Sequence, residues 1–246
     1  MKKRTSVKEI STLCEMLIQD FMTSSHRSSR RLIDIEAFVT RYLGAKLTYE
    51  TFAEDVPGRG GFFADGITSL HILRNGIRQN VVFPKNTIVI DSSLKHPDEI
   101  ARLRFTIAHE AAHLIMSKHI PGGVTAAFHT EYVEGGDYTP QMLKSMMTTN
   151  ETITNRAAAC LLMPSFIVER ALNTYNNGDK ITIYLGSDVV ITDQSKRIIQ
   201  RMADSMGVSF SACYYRLKEA DRLDIRPLEE YAQVFNCEDN ENVRDL

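Results

Sequence analysis

An H-E-x-x-H pattern constrains this chain more than any other feature of its sequence. It occupies residues 109–113, with His109 and His113 at its ends and Glu110 between them. In a helix, histidines at positions i and i+4 lie on one face about one turn apart, so both imidazoles can ligate one Zn²⁺ ion. The glutamate can then reach a metal-bound water, and this spacing is typical of zinc peptidases. The pattern has this meaning only if the segment is helical.

The residues around the motif predict that helix. Residues 96–99 read His-Pro-Asp-Glu, a start signal in which proline suits the first turn and the acids complement the positive helix end. Residues 121–123 read Pro-Gly-Gly and must end it. Between these limits, apolar residues recur at helical spacing: Ile100, Leu103, Ile107, Ala111, Leu114 and Ile115. The histidine pair therefore lies in the middle of a helix, where an unpaired His or Glu would be costly to bury.

A catalytic zinc site commonly has three protein ligands, so a third must come from elsewhere. Residues 151–164 predict a second helix on which Glu151 and Asn155 share a face, just before a run of Ala and Leu. One of them can bind the metal and the other can steady a ligand. A carboxylate would complete a His₂Glu set, and the Asn155 side chain can accept the free ring N–H of a histidine ligand. Three further acids can serve as the third ligand: Glu131, Glu134 and Asp137.

Together the two helices resemble a known family. Residues 104–114 read R-F-T-I-A-H-E-A-A-H-L, and residues 151–164 contain E-x-x-x-N-R-x-A-A-x-L-L-M-P. Both are similar to the motifs of the ImmA/IrrE family of zinc metallopeptidases. The resemblance implies a gluzincin-like site with one Zn²⁺ per chain. In such a site His109, His113 and Glu151 bind the metal, and Glu110 is the catalytic base.

The chain departs from the family pattern in three places. Thr154 and Ala157 stand where the family usually has Ala and Phe, and neither touches the chemistry. The segment 118–150 is long for the family, which bears on substrate preference. Its paired glycines and its methionines are compatible with a lid over the site or with an ordinary packed loop. It also supplies the candidate transition-state donors His129, Tyr132 and Tyr138.

A small β region is predicted upstream of the zinc helix. Residues 47–50 and 87–90 are strand candidates, and residues 69–83 predict a hairpin around Asn75-Gly76. In zinc peptidases an exposed strand beside the metal commonly takes the substrate as an added strand. Residues 87–90 are our candidate for that edge, and the alternative is that they form a buried strand. The predicted fold class is α+β. A small antiparallel sheet would pack on a zincin-type helical core, with additional N- and C-terminal helices.

The flanks of the chain predict further helices. An apolar stripe from Ile10 to Phe21 predicts one helix, and a second is predicted over residues 31–43. Near the other end, residues 195–220 resemble a helix-turn-helix, for which we expect a packing role. We predict three parts: N-terminal helices over 1–45, a zinc peptidase core over 46–185 and a C-terminal helical region over 186–246.

Composition limits the class of protein. With 246 residues and 43% hydrophobic content, the chain can bury a full core. Its formal net charge of −2 offers no strong field for nucleic acid or anionic membrane. No apolar run has the length of a membrane span and the basic start leads into an amphipathic helix, which predicts a cytoplasmic protein. The four cysteines are scattered without C-x-x-C, so neither a disulfide framework nor a second zinc site is indicated.

These observations predict a zinc-dependent endopeptidase. The resemblance further implies a protein substrate, a helix-turn-helix repressor of a mobile element or stress regulon, so that cleavage would switch genes on. We expect no membrane partner and no direct binding of nucleic acid. Two alternatives stay open: a metal-binding regulator without hydrolysis, and a DNA-binding protein that uses the C-terminal helices. The intact Glu110 argues against the first, and the near-neutral charge against the second.

Overall fold

The structure is a computed structural model, and it describes residues 7–25, 30–53, 60–119, 149–186 and 189–231. The chain divides into two compact units, one of residues 1–164 with 206–208 and the other of residues 165–205 with 209–246. Both units combine helices and strands, so the predicted α+β class is confirmed. In the part of the chain that the structure describes, no helix is both long and apolar enough to cross a membrane.

The first unit carries the predicted zinc helix and the main sheet. Its helices are α1 (Val7–Ser24), α2 (Ile35–Ala37), α3 (Ile100–His119) and α4 (Thr149–Leu162). A π-helical segment, Phe38–Tyr42, continues α2, and two 3₁₀ turns, Ser92–Lys95 and Pro97–Glu99, lead into α3. Its strands are β1 (Lys46–Phe52), β2 (Gly61–Ala64), β3 (Ser69–Arg74), β4 (Ile77–Val82) and β5 (Thr87–Asp91).

Among the described residues, the strands of the first unit form one sheet in the order β2-β5-β1-β3-β4. The sheet was predicted to be antiparallel, and antiparallel pairs join β2 to β5, β1 to β3 and β3 to β4. The sheet is nevertheless mixed, because β1 and β5 run parallel. Parallel neighbours need a long crossover connection, and here the chain between β1 and β5 contains β2 and the whole β3–β4 hairpin.

The hairpin is confirmed at its predicted place. Asn75 and Gly76 both have positive φ, 53° and 74°, as a two-residue turn between twisted strands requires. The prediction that residues 87–90 form the sheet edge is wrong, because β5 lies between β2 and β1. Its three central residues, Ile88, Val89 and Ile90, have no exposed surface, and a continuous apolar run of this kind is typical of a strand covered on both faces. The edge beside β5 is β2.

Helix α1 confirms the first predicted helix, whereas the second begins later than predicted. Residues 31–34 are not helical, because the Asp34 side chain accepts a hydrogen bond from the Ala37 amide at 3.0 Å and so starts α2 at Ile35. The carbonyl of Ile33, just before this helix, accepts a hydrogen bond from the Arg104 guanidinium at 2.8 Å.

Helix α3 confirms the predicted helix around the H-E-x-x-H motif. Pro97 opens the 3₁₀ turn before it, as the start signal indicated, and Ala108, Ala111 and Ala112 are fully buried. Arg104 anchors the helix to the rest of its unit. Besides the Ile33 carbonyl, its guanidinium donates to the carbonyl of Gly207 at 2.8 Å. A partly buried charge bonded to backbone carbonyls in this way restrains the helix laterally, since leaving the charge unsatisfied would be costly.

The second unit contains α5 (Ser165–Tyr175), β6 (Ile181–Leu185), β7 (Val189–Val190), α6 (Asp193–Met206), α7 (Phe210–Glu219) and β8 (Leu223–Pro227). Its strands form a sheet in the order β7-β6-β8 among the described residues. The predicted C-terminal helix pair is present. Gly207 ends α6 with a φ of 65°, and the Ser209 side chain caps α7 through the Ala212 amide at 3.2 Å. Arg216 on α7 is buried and donates to the Ser165 hydroxyl at 3.3 Å, which favours a packing role.

Candidate metal centre

The two histidines of the motif meet on one face of α3. Their Nε2 atoms lie 3.1 Å apart, as expected for side chains one helical turn apart. Both residues are buried, with 4% of the surface of His109 and 2% of that of His113 exposed. Imidazoles that converge at this distance inside the protein form one half of a possible coordination sphere.

Helix α4 brings a carboxylate to the same point. It packs against α3, and one oxygen of Glu151 lies 3.5 Å from Nε2 of His109 while the other lies 4.0 Å from Nε2 of His113. The candidate ligand atoms of the three residues all lie within 4.8 Å of one another. The structure therefore brings together the two histidines and the acid that were predicted to lie on separate helices. Along the chain, Glu151 is at least 38 residues from either histidine.

Asn155 contacts one of the histidines from the next turn of α4. Its Oδ1 atom lies 2.9 Å from Nδ1 of His109. Because an amide oxygen can only accept, Nδ1 of His109 must carry the proton and donate it. In the neutral imidazole, the Nε2 atom of that ring then keeps its lone pair and points it toward His113. Of the two histidines that the sequence offered to Asn155, the structure selects His109.

The arrangement fits a divalent metal ion. Ligands bound at about 2.0–2.1 Å in a tetrahedron lie about 3.3 Å from each other, which is close to the 3.1 Å and 3.5 Å separations that His109 makes with His113 and Glu151. When Nε2 of His109 is unprotonated, a cation bound between the rings can accept the lone pairs of both Nε2 atoms, which lie 3.1 Å apart. Two nitrogen donors and one carboxylate also form a donor set that suits zinc.

Glu110 faces a different neighbour from the histidines. Its side chain is 1% exposed and lies against the first residue of β2. A Cβ atom placed on Gly61 would lie 2.6 Å from Oε1 of Glu110, so the carboxylate fills the space that the glycine leaves. The base proposed from the sequence is therefore held between the zinc helix and the edge of the sheet. The importance of Gly61 was not predicted.

The sequence also suggested candidate side chains outside this cluster. The candidate donors and alternative ligands of the segment between α3 and α4 lie outside the described residues and stay predictions: His129, Glu131, Tyr132, Glu134, Asp137 and Tyr138.

Cys14, Cys160 and Cys213 are buried free thiols. Burial raises the pKa of Cys14 and of Cys213 to about 12 in each case, so these two remain protonated and poorly suited to bind metal.

We expect Asn155→Ala to weaken zinc binding by about 10- to 100-fold, because the His109 ring loses the acceptor that fixes its orientation and tautomer. Asn155→Asp is the matched control, since it keeps an oxygen acceptor at the same position and should bind zinc at least as tightly as the wild type. Titration of the metal-free variants against a chromophoric zinc chelator measures both. Wild-type affinity in the alanine variant would show that this contact does not orient the ring.

A known protein family matches the part of the chain that contains α3 and α4. The model of peptidase family M78, described as the IrrE N-terminal-like domain, matches residues 69–218, which is more than half of the chain. The matched region contains His109, Glu110, His113, Glu151 and Asn155. No curated protein matches the chain.

Proposed function

The chain belongs to the IrrE N-terminal-like family of metallopeptidases, M78, and from that membership we propose that it is a zinc-dependent endopeptidase. The observation that carries the proposal is the convergence of two imidazoles and one carboxylate from α3 and α4 within 4.8 Å. Three protein ligands leave a fourth position for water or substrate, which is the composition of a catalytic rather than a structural zinc site.

Glu110 is proposed as the general base of the reaction. Zinc, when bound, supplies Lewis acidity that lowers the pKa of a water and polarises the scissile carbonyl. The carboxylate of Glu110 would accept the proton of the attacking water and return it to the leaving amine. Its burial excludes bulk water from this proton transfer, and its neighbour Gly61 keeps it beside the sheet. A site that only stored metal would have no need of a carboxylate here, which argues against a non-hydrolytic regulator.

The substrate backbone is proposed to bind at the edge of β2. The carbonyl of Gly60 accepts a hydrogen bond from the Asp91 amide at 2.8 Å, so Gly60, and by alternation Phe62, direct their backbone groups toward β5. Gly61 and Phe63 therefore direct theirs to the opposite edge, with which no strand pairs among the described residues. An extended peptide added there would pass directly beside Glu110.

For the substrate itself we propose a helix-turn-helix transcriptional repressor, whose cleavage would relieve repression in a mobile element or stress regulon. Family membership supports a protein substrate. The narrower proposal is supported by the resemblance to the ImmA/IrrE motifs. An anti-repressor role fits a chain with a formal net charge of −2, which would act on the regulator rather than on its DNA.

The test is incubation of the zinc-loaded protein with the repressor encoded beside its gene, followed by mass spectrometry of the products. We expect two fragments from one internal cleavage, and none after zinc is removed with a chelator. Unfolded casein is the second substrate in the same assay. An intact repressor with cleaved casein would contradict the repressor proposal. If both the repressor and casein stay intact, the endopeptidase proposal is contradicted.

A further inference from the structure

Gly61 lies at a close contact between β2 and α3. A Cβ atom at this position would lie 2.6 Å from Oε1 and 2.8 Å from Cγ of Glu110, and 2.7 Å from Cγ2 of Thr106. Carbon atoms in contact are normally about 3.5–4.0 Å apart. A side chain as small as that of alanine therefore requires both Glu110 and Thr106, or the backbone of β2, to shift.

Both neighbours are tightly enclosed, so moving either of them is costly. Thr106 and Glu110 are one helical turn apart on the same face of α3, and each is 1% exposed. Thr106 is β-branched, which restricts its χ1 angle. The interior around them is packed, so a displacement at one atom is passed on to its neighbours. Of the two side chains, Glu110 has more rotatable bonds, so we expect it to be displaced further than Thr106.

Backbone conformation does not explain the glycine. The described glycines with positive φ are Gly44, Gly66, Gly76, Gly178 and Gly207. Gly61 is not one of them, and it is part of β2, where any residue could adopt the backbone angles. Glycine in a strand is otherwise unfavourable, because it loses more conformational freedom on folding and packs no side chain. The structural reason for glycine here is space.

We propose that Gly61 is a positioning residue for Glu110. The Glu110 carboxylate occupies the space that a side chain at position 61 would fill. Gly61 thereby allows the carboxylate to lie beside the edge of β2, where the substrate backbone would pass. The inference rests on the proposed function, in which Glu110 accepts the water proton. Gly61 lies outside residues 69–218, the part of the chain that matches the family model.

A kinetic double-mutant cycle tests the proposal, with the adjacent repressor, or casein if the repressor stays intact, as substrate. We expect Gly61→Ala to lower kcat by about 10-fold or more, because small displacements of a reacting group are expensive, while KM changes by less than about twofold. In a Glu110→Gln background the same change should cost less than about twofold, since the base through which it acts is already gone. Zinc content should stay at the wild-type level throughout.

A second cycle uses thermal unfolding of the metal-free protein and needs no substrate. We expect Gly61→Ala to lower Tm by roughly 5 °C through overpacking. In a Glu110→Ala background, where Oε1 and Cγ are absent, the same change should lower Tm by less than half as much. Thr106→Ser in the Gly61→Ala protein removes only the Cγ2 contact and should leave kcat low. Recovery of kcat in that double variant would show that Thr106, and not Glu110, bears the crowding.

Gly186→Ala is the matched control. Gly186 also lacks a positive φ, and a Cβ there would lie 2.8 Å from Cδ2 of Leu228 in the second unit. It should lower Tm and leave kcat within about twofold. Wild-type kcat in Gly61→Ala, or an equal loss of kcat in both Glu110 backgrounds, would overturn the positioning role. A Glu110→Gln protein that cleaves at the wild-type rate would instead contradict the proposed function, so the two failures are distinct.

Discussion

Alanine at His109 or His113 is expected to empty the metal site, from about one zinc per chain in the wild type to almost none. Each imidazole supplies one of three protein ligands. Structural zinc sites in small peptides bind with about 10–16 kcal/mol in total, and a loss of about one third of such an energy weakens binding on the order of 10³-fold. Glu151→Ala should also lower occupancy. Elemental analysis of the purified variants, after dialysis against metal-free buffer, measures the effect.

His96→Ala is the control for this series. Its ring is largely exposed and contacts Asp98 before the start of α3, away from the three candidate ligands, so zinc content should remain at the wild-type level. Full occupancy in His109→Ala or His113→Ala would refute the site. Full occupancy in Glu151→Ala alone would remove that residue from the ligand set and direct attention to the acids of the segment 120–148: Glu131, Glu134 and Asp137.

The metal centre could be read from the sequence because its geometry is local. Histidines four residues apart on a helix converge wherever that helix lies, and Glu151 and Asn155 share a face of α4 for the same reason. Only the pairing of the two helices is long-range, and the resemblance to a known family supplied it. The contact between Asn155 and His109 was open to one alternative, His113, which lies on the same face of α3.

The sheet was less predictable because its neighbours are set by long-range pairing. A run of apolar residues identifies β5 as a strand, but its place between β1 and β2 depends on strands that are distant in sequence. Strand β2 reads Gly-Phe-Phe-Ala, four residues without polar alternation, and gave no clear signal. The role of Gly61 depends on how β2 meets α3, which no local pattern contains. A glycine in front of two buried phenylalanines was the one available hint.

The central claim is that a metal held by His109, His113 and Glu151 acts with Glu110 to hydrolyse peptide bonds. Glu110→Gln keeps the size of the side chain but cannot accept a proton, so we expect zinc to remain while cleavage falls by roughly 10²-fold or more. Glu99 lies in the 3₁₀ turn before the same helix and is partly exposed. Glu99→Gln makes the same chemical change outside the site and should cleave like the wild type.

The most direct measurement is the cleavage rate of metal-free protein as zinc is added in steps. The wild type and Glu99→Gln should gain activity in proportion to zinc and reach a plateau at about one equivalent per chain. Glu110→Gln should bind the same equivalent and remain at least about 10²-fold slower. Cleavage that does not depend on zinc, or a Glu110→Gln protein as fast as the wild type, would contradict the claim.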